Sequence, residues 1–189
     1  MPFRFEKAGL PGLTFIYPDL YPDERGTFWE AFKSSQFKAA GLPGTFLQSN
    51  LSRSRQGVLR GLHYQLAPHS QGKLIQVLEG EIYQVAVDLR EGSPTFGEWR
   101  GNCLSAANPG LIYFPEGMAH GFQVLSETAL LAYQVTREYA PDFERGIHWG
   151  DPSLGIDWPL PDPLLSDRDK TWPTLAEAEI NFLYSDDGG

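Results

Sequence analysis

The segment KLIQVLEGEIYQVAVDLR, residues 73–90, constrains the fold of this chain more than any other stretch. It reads as two strands joined through Glu79-Gly80, a tight hairpin turn. In the second strand Ile82, Gln84, Ala86 and Asp88 share one face, and Tyr83, Val85, Val87 and Leu89 share the other. Similar short runs surround it. GLTFIYPDLY is an apolar strand ended by prolines at 18 and 22, TFLQSNLS and VLRGLHYQL are strand-like, LIYFPEGMAHGFQVLS breaks at Pro115-Glu116-Gly117, and ALLAYQVTREY is strongly apolar. Asp23-Glu24-Arg25-Gly26 forms a charged turn and EGSPTFGEW a turn-rich loop. Helical spacing is confined to FWEAFKSSQFKAA, stopped by Gly41, and to TLAEAEINFL near the end. Many short strands with Gly and Pro turns predict a mainly β chain, an antiparallel sandwich or barrel with a few short helices in its N- and C-terminal parts.

A chain of 189 residues fits one domain. Its expected parts are an N-terminal strand and helix arm over 1–45, a barrel core over 46–139 and a covering arm over 140–189. That last part is rich in Asp, Pro and Trp and has no sustained period. Such a length of irregular chain is expected to cover something, here the barrel mouth, and to carry residues to a site. The single cysteine, Cys103, excludes an internal disulfide and points to a reducing, cytoplasmic setting. No run approaches 18 apolar residues, and MPFRFEKAGL lacks the apolar stretch of a signal peptide. A formal net charge of −9 argues against nucleic acid or an anionic membrane as a partner.

Against that acidic background, the stretch from Gln48 to Lys73 stands out. Arg53, Arg55 and Arg60 precede His63, Lys73 follows it, and no acidic residue falls between Asn50 and Lys73. A local basic patch leading into rigid strands suits a small anion such as a phosphate ester. Its ordinary reading is a solvated arginine-rich loop.

The strings QSNLSRSRQGVLRGLHYQ, QGKLIQVLEGEIYQVAVDLREGSPTFGEW, FPEGMAHGF, YQVTREYAP and GIDWPLPDPLLSDRD resemble those of dTDP-4-dehydrorhamnose 3,5-epimerases, in family order and over nearly the whole chain. The resemblance implies a cupin-type jelly-roll barrel, a homodimer, and a nucleotide-linked 4-keto-6-deoxy sugar as substrate. Metal-binding cupins carry a His-x-His pair with a later Glu. Here the positions read His63-Tyr64-Gln65 with no acid before Glu79, and Pro115-x-Gly117-x-x-His120 is followed by Val124 where a polar ligand is wanted. Two histidines without partners make a poor site, so no metal is expected.

Inverting a carbon next to a ketone requires a base, a cation or donor at the carbonyl oxygen, and an acid on the opposite face. It requires no redox cofactor. The resemblance assigns these roles to His63 as base, Asp169 as its partner, Lys73 as enolate stabiliser and Tyr133 as acid. Each has a bland reading alone: a backbone-satisfied histidine, a solvated lysine opening a strand, a core tyrosine. The resemblance also implies that Arg60 and Arg25 contact pyrophosphate and sugar, that Gln48 and Asn50 contact the nucleotide, and that Tyr139 stacks on thymine. Glu30, His120, Glu144 and Arg168 fall on further binding positions, and Arg25 and Glu30 are expected to serve the partner's site. The activity implied is inversion at C3 and C5 of dTDP-4-dehydro-6-deoxy-D-glucose on the route to dTDP-L-rhamnose. Its alternatives are a single-centre epimerase of another dTDP-deoxysugar, a metal-dependent cupin oxygenase built on His63 and His120, and a non-catalytic sugar-nucleotide-binding jelly roll.

Overall fold

A computed structural model describes residues 2–185. The strands are β1 (Phe3–Lys7), β2 (Thr14–Pro18), β3 (Tyr21–Asp23), β4 (Gly26–Phe28), β5 (Gln48–Arg55), β6 (Leu59–Gln65), β7 (Lys73–Glu79), β8 (Glu81–Asp88), β9 (Trp99–Ser105), β10 (Leu111–Phe114), β11 (Met118–Val124), β12 (Thr128–Val135) and β13 (Glu144–Gly146). Two antiparallel sheets face each other, one ordered β1-β2-β10-β7-β12-β5 and the other β13-β6-β11-β8-β9. The charged turn expected at Asp23–Gly26 is the tip of a separate hairpin, β3–β4.

From β5 onward most consecutive strands switch sheets, which is the jelly-roll path. The hairpin expected at Glu79-Gly80 is therefore not formed. β7 pairs with β10 and β12, whereas β8 pairs with β11 and β9, so Gly80 carries the chain from one sheet to the other. Its φ of +75° suits the sharp change of direction. β10 and β11 are likewise parted between the sheets at Pro115-Glu116-Gly117. Strands β1, β9 and β13 went unseen in the sequence, being polar or too short to show a period.

Both sheets are buried on their inner faces and covered over part of their outer ones, and period two sorts the residues. Ile75, Val77, Ile82, Ala86, Ile112, Phe114, Phe122 and Leu131 point inward and close the barrel interior. The other face of β8, Val85, Val87 and Leu89, packs with Leu62, Tyr64, Ile147 and Leu154 beneath the C-terminal arm. Outside the first sheet, Phe3, Ile16, Leu74, Leu111 and Tyr113 pack around Phe37. Phe37 lies on the one α-helix among the described residues, α1 (Ser34–Ala39), which is shorter than the expected 28–40. TLAEAEINFL forms a turn at 175–177 instead of a helix, because Leu175, Ala178 and Ile180 pack individually onto the sheet. The arm runs over the outer face of the second sheet and reaches the cavity through Asp169 and Arg168. Pairs such as Gln123 with the Leu160 backbone tie it down.

Candidate active site

The inward residues of one end of the barrel are polar, and they leave a cavity of about 490 Å³. β5 contributes one wall through its sequence QSNLSRSR. Tyr133 is inward on β12, and its register partner on β5 is Asn50, so Gln48, Asn50, Ser52 and Ser54 share the inner face. The same alternation puts Arg53 and Arg55 on the exposed face of β5, although Arg53 still borders the cavity. Arg53 pairs with Glu79 at 2.7 and 3.0 Å, an exposed pair, so it does not supply the free cation expected from the basic cluster. Arg60 does line the cavity, where its Nε donates to Ser54 Oγ at 3.2 Å. Among the described residues Arg60 has no carboxylate partner.

Arg60 and His63 both face inward although three residues apart. A bulge makes this possible: His120 and Phe122 of β11 oppose His63 and Arg60 of β6, two steps against three. Gly61 lies in the bulge at φ +131°, and a Cβ there would meet Gly121 Cα at 2.5 Å. Only glycine allows the strands to approach so closely.

His63 Nε2 lies 2.5 Å from Oδ1 of Asp169, brought in by the arm. Asp169 is itself buried. Ser166 Oγ donates to its Oδ2 at 2.8 Å, and Trp172 Nε1 to its Oδ1 at 3.3 Å. Burial alone would raise the Asp169 pKa, but the His63 hydrogen bond, with those of Ser166 and Trp172, holds the carboxyl below its ordinary value. Ser166 and Trp172 were missed in the sequence. The Ser-x-x-Asp spacing of Ser166 and Asp169 was the available sign, since a hydroxyl three residues ahead readily bonds such a carboxylate and its N–H.

Lys73, on the opposite sheet, donates to the His63 carbonyl at 3.1 Å. Burial pushes its pKa down to about 8, with Glu144 opposing. Tyr133 is half-buried in the same wall, and burial raises its pKa, keeping the phenol protonated. His120 is buried against Phe114 and Phe122, and burial together with nearby Lys73 and His63 lowers its pKa well below the ordinary value. Base and acid candidates thus come from opposite sheets and face each other across the cavity.

A hydrogen-bonded rim adjoins it. Gln48 donates to Asn50 at 2.8 Å and accepts from the Tyr139 N–H at 2.8 Å; the Tyr139 hydroxyl donates to Glu144 at 2.7 Å, and Arg168 pairs with the same carboxylate. Glu144 lines the cavity, and Tyr139 is exposed above it. Arg25 and Glu30 are not brought here. Arg25 pairs with Asp23 at 2.5 Å on the exposed β3–β4 tip, and Glu30 with Lys33 at 3.3 Å.

A sequence profile described as dTDP-4-dehydrorhamnose 3,5-epimerase matches residues 7–177. The chain belongs to this family. The dTDP-4-dehydrorhamnose 3,5-epimerase of Methanothermobacter thermautotrophicus is 48% identical over 94% of this chain and 97% of its own. That of Pseudomonas aeruginosa is 49% identical over 92% and 96%. Among solved structures, the dTDP-6-deoxy-D-glucose-3,5-epimerase of Legionella pneumophila, crystallised in complex with dTDP-4-keto-L-rhamnose, superposes on this epimerase with a TM-score of 0.93 at 44% identity. It covers 97% of this chain and 99% of that one. The fold is therefore that of the family. The chain contains no helix long and apolar enough to cross a membrane among the described residues.

Proposed function

We propose that this epimerase inverts C3 and C5 of dTDP-4-dehydro-6-deoxy-D-glucose to give dTDP-4-dehydro-L-rhamnose, with His63, Asp169, Lys73 and Tyr133 as its working groups. The observation that carries the reading is the arrangement of base and acid on opposite walls with an ammonium lining the same cavity. Asp169 fixes the N–H of His63 on Nε2, which leaves the Nδ1 lone pair to remove the proton next to the ketone. The electron pair of the broken C–H bond moves onto the C4 oxygen, and the Lys73 ammonium stabilises the enolate. Tyr133 returns a proton from the far side, leaving the carbon inverted. Proton exchange with water then resets both residues. Repeating the cycle at the other α-carbon completes the reaction, and no cofactor enters the proton balance.

The rim suits the nucleotide. Arg60 offers a guanidinium fork to the pyrophosphate, Arg168 a second cation, Gln48 and Asn50 polar contacts, and Tyr139 an aromatic face for the base. His120 and Glu144 approach the sugar. The protein acts as a homodimer in which Arg25 and Glu30 serve the partner's cavity. Support comes from their position outside their own cavity, on or beside a hairpin that exposes Tyr21 and Phe28.

The test is proton NMR of dTDP-4-dehydro-6-deoxyglucose with the protein in deuterated water. Loss of both C3 and C5 protons, with a product that a rhamnose-forming reductase accepts, is expected. Exchange at one carbon alone would make the protein a single-centre epimerase.

A further inference from the structure

Gln84 is fully buried, and neither its amide oxygen nor its nitrogen has a hydrogen-bond partner among the described residues. An unpaired amide in an apolar core is unfavourable, so each such group calls for an explanation. Its place in the barrel supplies one. Ile82 and Ala86, two residues to either side on β8, belong to the interior cluster, so Gln84 also points inward. On neighbouring β11, His120 lies opposite Ala86 and Phe122 opposite Gln84. His120 is inward too, since it lines the cavity. The two polar side chains are therefore diagonal neighbours on one face, and the small Ala86 leaves space between them. His120 Nε2 is likewise sealed and without a partner among the described residues. Two such groups, side by side in an apolar layer, suit one shared water, which needs at least two polar partners.

We propose that Gln84 is a positioning residue for the epimerase site, holding Nε2 of His120 through one buried water so that Nδ1 presents its N–H to the cavity. The proposal rests on the functional reading above. His120 is kept neutral by burial and by Lys73 and His63 nearby, so it carries a single ring N–H. Which nitrogen holds it is set by what the other one does. A water that accepts from the Gln84 amide and donates to Nε2 forces the proton onto Nδ1. That N–H then joins the Lys73 ammonium at the oxygen where enolate charge develops.

Gln84→Met and Gln84→Leu remove the amide while keeping most of its volume. The chain has four histidines, so the ring nitrogens of His120 can be assigned by single substitutions in 15N-labelled protein. Wild type is expected to show the Nδ1–H form, and both variants a shift toward the Nε2–H form. The kcat should fall by about tenfold to a hundredfold with KM changed by less than about twofold. The Tm should hold or rise. Unchanged nitrogen shifts with unchanged kcat overturn the proposal, and so does a lowered Tm with kcat retained, which marks a packing role. A wild-type protein that exchanges neither sugar proton overturns the functional reading instead, and the nitrogen shifts still decide the role of Gln84.

Discussion

His63 and His120 oppose each other directly across the β6–β11 ladder, but only His63 has a carboxylate behind it. The same side chain is thereby given two chemistries by its surroundings. Asp169 holds Nε2 of His63 through a hydrogen bond, whereas burial beside Lys73 and His63 keeps His120 neutral.

His63→Ala is accordingly expected to abolish deuterium uptake at both C3 and C5, a loss of at least about 10³-fold, because the proposed mechanism uses one base at both positions. Binding of dTDP, followed by calorimetry, should change little. Retained exchange at either carbon would remove His63 from the role of base.

Asp169→Asn separates orientation from charge. The amide retains the shape but no longer enforces the N–H on Nε2, so kcat should drop by about 10² to 10⁴. Stability carries a second signature. The folded-state pKa of Asp169 is depressed, so its contribution is present above the ordinary carboxylate value and is lost as pH falls through the lowered one. Wild type should exceed the variant by about 1.5–3 kcal/mol at pH 7. The gap should narrow below about pH 4 in chemical denaturation.

Burial pushes the Lys73 pKa down to about 8, so the ammonium proposed to stabilise the enolate is lost as pH rises through that value. The kcat is expected to decline along an alkaline limb with a slope near −1 per pH unit. Lys73→Met should lose that limb together with about 10²- to 10³-fold of rate. Its Tm at pH 7 should rise. A lysine whose folded-state pKa is depressed destabilises the fold most below that pKa, and the penalty fades as pH climbs from about 8 toward its ordinary value.

Tyr133→Phe removes the proposed acid and leaves the proposed base. Abstraction by His63 should continue, so label still washes in from solvent, while net inversion slows by about 10²-fold or more. Comparing deuterium uptake with product formation in one NMR series distinguishes the two. Parallel loss of both would place Tyr133 in binding rather than in proton return.

The strands that carry the site were legible because their apolar and polar residues alternate, and period two survives burial on both faces. Their partners were not. Glu79-Gly80 looks locally like a hairpin, and nothing within 73–90 reveals that β7 and β8 belong to different sheets; that depends on β10, β11 and β12, far along the chain. The helix expected at TLAEAEINFL failed for a related reason, since its apolar residues find the sheet's outer face instead of each other. At the site, His63, Lys73, Tyr133 and Asp169 were named from the resemblance, and the fold gathers them. Ser166 and Trp172 escaped notice because their role is to hold a carboxylate whose own position depends on the arm. The cluster of Arg53, Arg55 and Arg60 was overcounted, because adjacency in sequence does not reveal that Glu79, on another strand, pairs with Arg53.

Arg25 and Glu30 lie outside the cavity that their chain encloses, and complementation tests where they act. Arg25→Ala and His63→Ala homodimers should each be inactive or nearly so. If Arg25 serves the partner, a dimer of one Arg25→Ala and one His63→Ala subunit retains one complete site, in the subunit that keeps His63. Random mixing makes about half of the dimers mixed, each with one working site of two, so about a quarter of wild-type activity should return. If Arg25 served its own chain, every site in the mixture would lack one of the two groups and no activity would return. Unfolding and refolding the two variants together, with each refolded alone as control, gives the measurement.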